Sequence, residues 1–147
     1  MTTTETTPTA GTTARTPLET VRALYAAFGA GDMDALLSLI DEDVDWSIQV
    51  DTPGGDLVPM FRNGGGHQAV LHYFGGVAEL DWHTFEPREL YADGDRVVVL
   101  LHLAFTHRGT GKSAELDEIH RFEVRGGRVV HYRPYCDTAA FIEVFRP

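Results

Sequence analysis

The chain has 147 residues, 43% of them hydrophobic and 23% charged, which fits one globular domain of ~100–200 residues. Its 12 Lys and Arg against 22 Asp and Glu leave a net charge of −10. That is the wrong footprint for neutralising phosphates, so neither nucleic acid nor an anionic membrane is an expected partner. The single Cys136 excludes an internal disulfide and a multi-cysteine zinc site. No apolar run reaches the ~18 residues of a membrane span, and the opening residues lack the apolar centre of a secretory signal, so the expected location is the cytoplasm.

Residues 1–16 are Thr-rich and almost free of apolar side chains, so burial cannot offset their ordering entropy, and a disordered tail is expected there. The domain is expected over 17–147. Thr16-Pro17-Leu18-Glu19 has the spacing of a capping box with proline at the first helical position. Val21, Leu24, Tyr25 and Phe28 follow as one apolar stripe, and Gly29-Ala30-Gly31 ends that helix. Asp32 is placed to cap a second helix carrying Leu36, Leu39 and Ile40. Residues 44–50 alternate as a strand, with Trp46, Ile48 and Val50 on one face. Residues 51–66, rich in Gly and Pro, read as a loop. A helix over about 67–80 presents Val70, Tyr73, Phe74 and Val77 inward. Strands follow at 82–92, 96–107, 114–125 and 128–136, the last two joined by an Arg-Gly-Gly-Arg hairpin turn, and a helix over 138–145 closes the chain. Helices first and hairpins afterwards predict an α+β domain, a curved antiparallel sheet wrapped around the N-terminal helices to form a cone with a deep pocket.

The glycines at 64–66 lack the Lys-Ser/Thr of a phosphate loop, the serines at 38, 47 and 113 sit in no nucleophile elbow, and the seven histidines show no His-Glu-x-x-His spacing. No metal or cofactor is expected. The informative residues are polar groups on apolar strand faces. Alternation along 117–125 places Glu118 and His120 on the same covered face as Phe122 and Val124. His120 there is either a site residue or a hydrogen-bonded histidine at the edge of the core. The strand 96–107 is apolar on both faces, so its outer side is expected to be covered by a second subunit. His102 then lies on whichever side tolerates a polar group, the pocket included. Asp137, after Tyr135, is positioned either to cap the last helix or to act at the pocket mouth as a proton acceptor. Tyr25 and Trp46 lie on inward faces and bring a hydroxyl and an indole to the interior.

The stretches Val21-Arg22-Ala23-Leu24-Tyr25-Ala26-Ala27-Phe28, Gly65-Gly66-His67-Gln68-Ala69-Val70, Ala92-Asp93-Gly94-Asp95-Arg96-Val97 and Gly127-Arg128-Val129-Val130-His131-Tyr132-Arg133-Pro134-Tyr135-Cys136-Asp137-Thr138 resemble the SnoaL-like proteins of the nuclear-transport-factor-2-like superfamily. The likeness spans about residues 17–145. It implies the cone and its pocket, and a homodimer joined through the sheet. The fold hosts isomerases, cyclases, dehydratases, epoxide hydrolases and binders, so it does not choose among them. The carboxylate base of ketosteroid isomerases falls here on Ile48, and their first-helix tyrosine on Leu24. The final carboxylate of limonene-type epoxide hydrolases maps onto Asp137, but Leu101-His102-Leu103 stands where they need Arg-x-Asp. The Asp and His of SnoaL-type cyclases match Asp137 and His120, and scytalone-type dehydratases match His102, His120 and Tyr25.

The expected activity is therefore a cofactor-independent isomerase, cyclase or dehydratase acting by proton transfer on a small, mostly apolar carbonyl compound. Asp137, His120 and Tyr25 are its expected catalytic residues, and Trp46, His102, Glu118, Phe122 and Tyr135 its substrate contacts. The alternative is a domain of the same fold that binds a small molecule or partner without chemistry.

Overall fold

The computed structural model describes residues 15–48 and 54–147. The Thr-rich tail up to residue 14, and Val50, lie outside the described residues. Helix α1 (Pro17–Ala30) starts as its sequence requires. The Thr16 hydroxyl accepts from the Glu19 amide, the Glu19 carboxylate accepts from the Thr16 amide, and Gly31 ends the helix in the left-handed region at φ 67°. Asp32 then caps α2 (Met33–Ser38) through the Ala35 amide.

The second helix is shorter than the apolar spacing predicts. It stops at Ser38, and Ile40 opens strand β1 (Ile40–Trp46), four residues earlier than the alternation of 44–50 indicates. The reason lies in pairing: β1 runs parallel to the last strand, with Ile40 opposite Val129 and Trp46 opposite Tyr132, so tertiary hydrogen bonds set its start rather than local pattern. A 3-10 turn (Pro59–Phe61) and the two-residue β2 (Gly64–Gly65) break the expected loop, and α3 runs over Gly66–Val77.

Strands β3 (Leu80–Asp93), β4 (Arg96–His107), β5 (Ser113–Arg125) and β6 (Arg128–Tyr135) form the long hairpins, and α4 (Thr138–Phe145) follows. The turn between β5 and β6 holds Gly126 and Gly127 at φ 59° and 76°, a conformation that glycine adopts without steric cost. One six-stranded curved sheet results, in the order β2-β1-β6-β5-β4-β3. Two register shifts along β3, between Trp82 and Thr84 and between Pro87 and Glu89, each insert a residue against β4 and bend the strand. Pro87 is tolerated because β3 is an edge strand. Helix α1 packs on the inner face of β3 to β6, while α3 packs on β1 and on the 3-10 turn. The inward set of β4 (Val97, Val99, Leu101, Leu103 and Phe105) is fully buried. The opposite set is half-buried, and Tyr91, Ile119 and Tyr135 stand exposed on the sheet. Among the described residues no helix is long and apolar enough to cross a membrane.

Candidate functional site

Between α1, α3 and the concave sheet lies a cavity whose non-atom space, its open mouth included, is about 700 Å³. Its wall is largely aromatic. Phe28, Phe74, Trp82, Phe85 and Phe122 are among its rings, together with Trp46 and three tyrosines. Against that wall the polar groups are few, and they are connected.

Tyr25, one helical turn after Val21, hangs from the buried stripe of α1, and its hydroxyl lies 2.6 Å from His120 Nδ1. On the other side of the ring, His120 Nε2 lies 2.6 Å from Glu118 Oε2. His120 and Glu118 are two residues apart on β5, so the pleat sends both into the interior, where they are only 5% and 7% exposed. The three groups form one line: phenol, imidazole, carboxyl. Burial, reinforced by Tyr73 and by the Glu118 charge, pushes the Tyr25 hydroxyl well above the ordinary tyrosine range and keeps it a neutral phenol.

A second polar pair stands beside the first. The Tyr73 hydroxyl from α3 is 2.7 Å from the Tyr132 hydroxyl on β6. Burial raises both of these hydroxyls far above their ordinary value as well. Trp46 packs against Tyr132 at 4.2 Å between ring centroids, and its buried indole nitrogen makes no hydrogen bond to any described residue. Cys136 also lines the cavity, and burial pushes its thiol up, away from the reactive thiolate.

Five residues named from the sequence thus meet in one place: Tyr25, His120, Glu118, Trp46 and Phe122. Three do not. Asp137 is exposed, lies off the cavity wall, and accepts from the Ala140 amide at 3.1 Å as the cap of α4. Strand alternation explains its place, since Tyr132, Pro134 and Cys136 face the cavity and the next residue turns outward. His102 sits on the outer face of β4, clamped between Asp117 and Glu115 at 2.7 Å each. Those two hydrogen bonds raise its pKa above the usual histidine value. Tyr135 is 41% exposed on the same outer face, under the Arg133 guanidinium.

The Tyr73–Tyr132 pair escapes a reading of the sequence only by half. Tyr73 belongs to the inner stripe of α3, but Tyr132 is brought inside by a bulge. Residues 123 and 124 of β5 pair with 131 and 129 of β6, which leaves Val130 as an extra residue and shifts the phase of the strand. Among the described residues no group of three or more metal-ligating side chains is close enough to hold a metal ion.

The arrangement can pass a proton along one line into a water-poor, aromatic enclosure, with a tyrosine as the terminal donor or acceptor. Known proteins share this frame. A solved NTF2-like protein of unknown function from Burkholderia pseudomallei superposes with a TM-score of 0.75 at 28% identity, over 89% of this chain and 98% of its own. TerC, co-crystallised with polyporic acid, matches at 28% identity with a TM-score of 0.73, over 88% of this chain and 97% of its own. A Rhodopseudomonas palustris protein labelled an isomerase has the same fold, with a TM-score of 0.71 at 22% identity, over 89% and 96% of the two chains. No protein of curated function matches the sequence. The model of the SnoaL-like domain matches residues 21–132, and with the cone, the sheet order and the cavity in place the chain belongs to the SnoaL-like family.

Proposed function

We propose that the protein is a cofactor-independent isomerase, cyclase or dehydratase that moves a proton on a small, mostly apolar carbonyl compound held in the cavity. The observation that carries this reading is the buried line Tyr25–His120–Glu118, set in a wall that is otherwise aromatic. The line has two protonation states that differ by one proton. In the first, Glu118 is a carboxylic acid donating to His120 Nε2, the Nδ1–H donates to the Tyr25 oxygen, and the Tyr25 hydroxyl points at the ligand. Release of the phenolic proton to a ligand oxygen draws the Nδ1 proton onto Tyr25 and the Glu118 proton onto His120. That leaves the second state: a carboxylate accepting from Nε2–H, and a Tyr25 hydroxyl donating to Nδ1. The reverse motion takes up a proton from the carbon beside a carbonyl. Tyr25 is a neutral phenol in both states, in keeping with the upward push on its hydroxyl. A preorganised donor facing a developing enolate is worth ~3 kcal/mol.

In this reading Asp137 keeps its structural part as a cap, and Glu118 takes the role of the carboxylate. Uptake of solvent deuterium beside the carbonyl of 1-tetralone and related aryl ketones tests the proposal. The wild-type protein accelerates uptake, and Tyr25→Phe loses about 100-fold. Ketones that bind, by thermal shift, yet exchange no faster than in buffer would overturn it.

A second reading, binding without chemistry, is favoured by one observation: both imidazole nitrogens of His120 are already engaged by protein groups. The two separate in the deuterium assay, because only the catalytic reading expects a ketone that binds to exchange faster than in buffer. We further propose that a second copy of the chain covers the outer face of the sheet, over Ile119, Tyr91 and Tyr135, as light scattering of the eluted protein would register.

A further inference from the structure

We infer that the cavity contains a second oxygen-recognition subsite, built from the Trp46 indole N–H and the Tyr73–Tyr132 hydroxyl pair, so that the ligand is a flat, neutral compound with two oxygens, such as a hydroxyaryl ketone or a quinone. The inference rests on the proposed reading of the cavity as a ligand site and names what that site selects.

Donors are the starting point. Trp46 is 1% exposed, and its indole nitrogen finds no partner among the described residues. A buried unpaired N–H is costly, and native structures rarely keep one without a reason. The two tyrosine hydroxyls hold two hydrogens between them. Their mutual hydrogen bond at 2.7 Å uses one, and the other has no described acceptor. Two donors are thus left over on adjoining rings, Trp46 lying 4.2 Å from Tyr132 and 5.5 Å from Tyr73 by ring centroid.

Spacing is the second point. The Tyr132 centroid is 5.3 Å from that of His120, whose Nδ1 holds the Tyr25 hydroxyl. The ring that carries one leftover donor therefore packs against the imidazole of the proton line. A single carbonyl held at the proton line leaves those donors unmet, whereas a fused aromatic with oxygens on neighbouring rings engages both. Charge is the third point. Among the described residues no Lys or Arg lines the cavity to balance an anion, so the second oxygen belongs to a neutral hydroxyl or carbonyl.

Two probes test the inference, 1-tetralone with one oxygen and 5-hydroxy-1-tetralone with two. The chain has two tryptophans, hence two indole N–H signals in a nitrogen-correlated NMR spectrum. The Trp46 signal is assigned by Trp46→Phe or, if that variant does not fold, by elimination in Trp82→Phe. The two-oxygen probe is expected to move the Trp46 signal downfield and to slow its hydrogen exchange, while the one-oxygen probe leaves it in place. Tyr132→Phe should weaken the two-oxygen probe five- to tenfold, the size of one lost hydrogen bond, and the one-oxygen probe less than twofold. A Trp46 signal that stays still while the two-oxygen probe binds would overturn the subsite and leave the proton line untouched, the indole N–H then resting on a neighbouring ring face. Failure of both probes to bind would overturn the ligand reading as well.

Discussion

Replacement of Glu118 by Gln isolates the proton line from the packing around it. The two side chains have nearly the same volume, and the amide oxygen can still accept from His120 Nε2 at the 2.6 Å position Glu118 now occupies. What the variant cannot do is give up or take up a proton. Loss of charge assistance on one buried hydrogen bond costs about 1 kcal/mol, which lowers Tm by about 2–4 °C in a domain of this size. The catalytic cost is larger, because a positioned acid or base contributes ~10²–10⁴-fold. The expected outcome is at least a 100-fold loss of deuterium uptake into aryl ketones, with ligand affinity kept within about threefold and the circular dichroism of the wild type. A folded Glu118→Gln protein that exchanges deuterium within threefold of wild type would refute the line as the working element. The cavity would then be left to the binding-only reading.

Asp137→Ala removes the α4 cap and is expected to cost about 1 kcal/mol by thermal melting, while Asp137→Asn, an equally good cap, costs little; neither should change turnover more than about threefold. His102→Gln tests the outer clamp through pH. The folded pKa is raised above the ordinary 6.5 by Asp117 and Glu115, with Glu86 facing it from β3 and Arg88 nearby opposing the shift. Its stabilisation is therefore complete below 6.5 and is lost as pH rises through the folded value, so the variant should lose more Tm at pH 5.5 than at pH 9. Gly76→Ala places a methyl 2.8 Å from the Pro59 ring and 2.5 Å from Met60 Sδ and is expected to destabilise by about 1–3 kcal/mol. Gly75→Ala, with open space around it on the same helix, should stabilise by about 0.5–1 kcal/mol in urea melts.

Local signals carried most of the architecture. The capping box at Thr16, the Gly126-Gly127 turn and the helix 138–145 follow from short-range chemistry, and each lies where its residues put it. The strand β1 does not, because its partner is β6, some ninety residues away, and no local pattern encodes a parallel pairing at that range. The site divides in the same way. Strict alternation on β5 delivers Glu118 and His120 inward, and the helical period delivers Tyr25 beside them. Tyr132 depends on a bulge that flips the phase of β6, and a bulge leaves no mark in the sequence of Val129-Val130-His131. Asp137 shows the converse. Its alternation with Cys136 turns it outward, where its carboxylate accepts from the Ala140 amide.

Charge and cavity are also less connected than the net −10 implies. Eight acids and no Lys or Arg fall in residues 32–56. Of these, Asp32, Asp34, Glu42, Asp43, Asp45 and Asp56 are exposed, forming a solvated rim on α2, on β1 and in the loop beyond it. Such a rim repels anions at long range and is screened within ~8–10 Å at ordinary salt. Inside, Glu118 is the one acid among the described residues of the wall, and it is held by His120. An anionic ligand would meet repulsion outside and find no counter-charge within, so its desolvation would go uncompensated. A neutral aromatic avoids both costs, and a neutral ligand is also what a relay passing single protons through an uncharged phenol can serve.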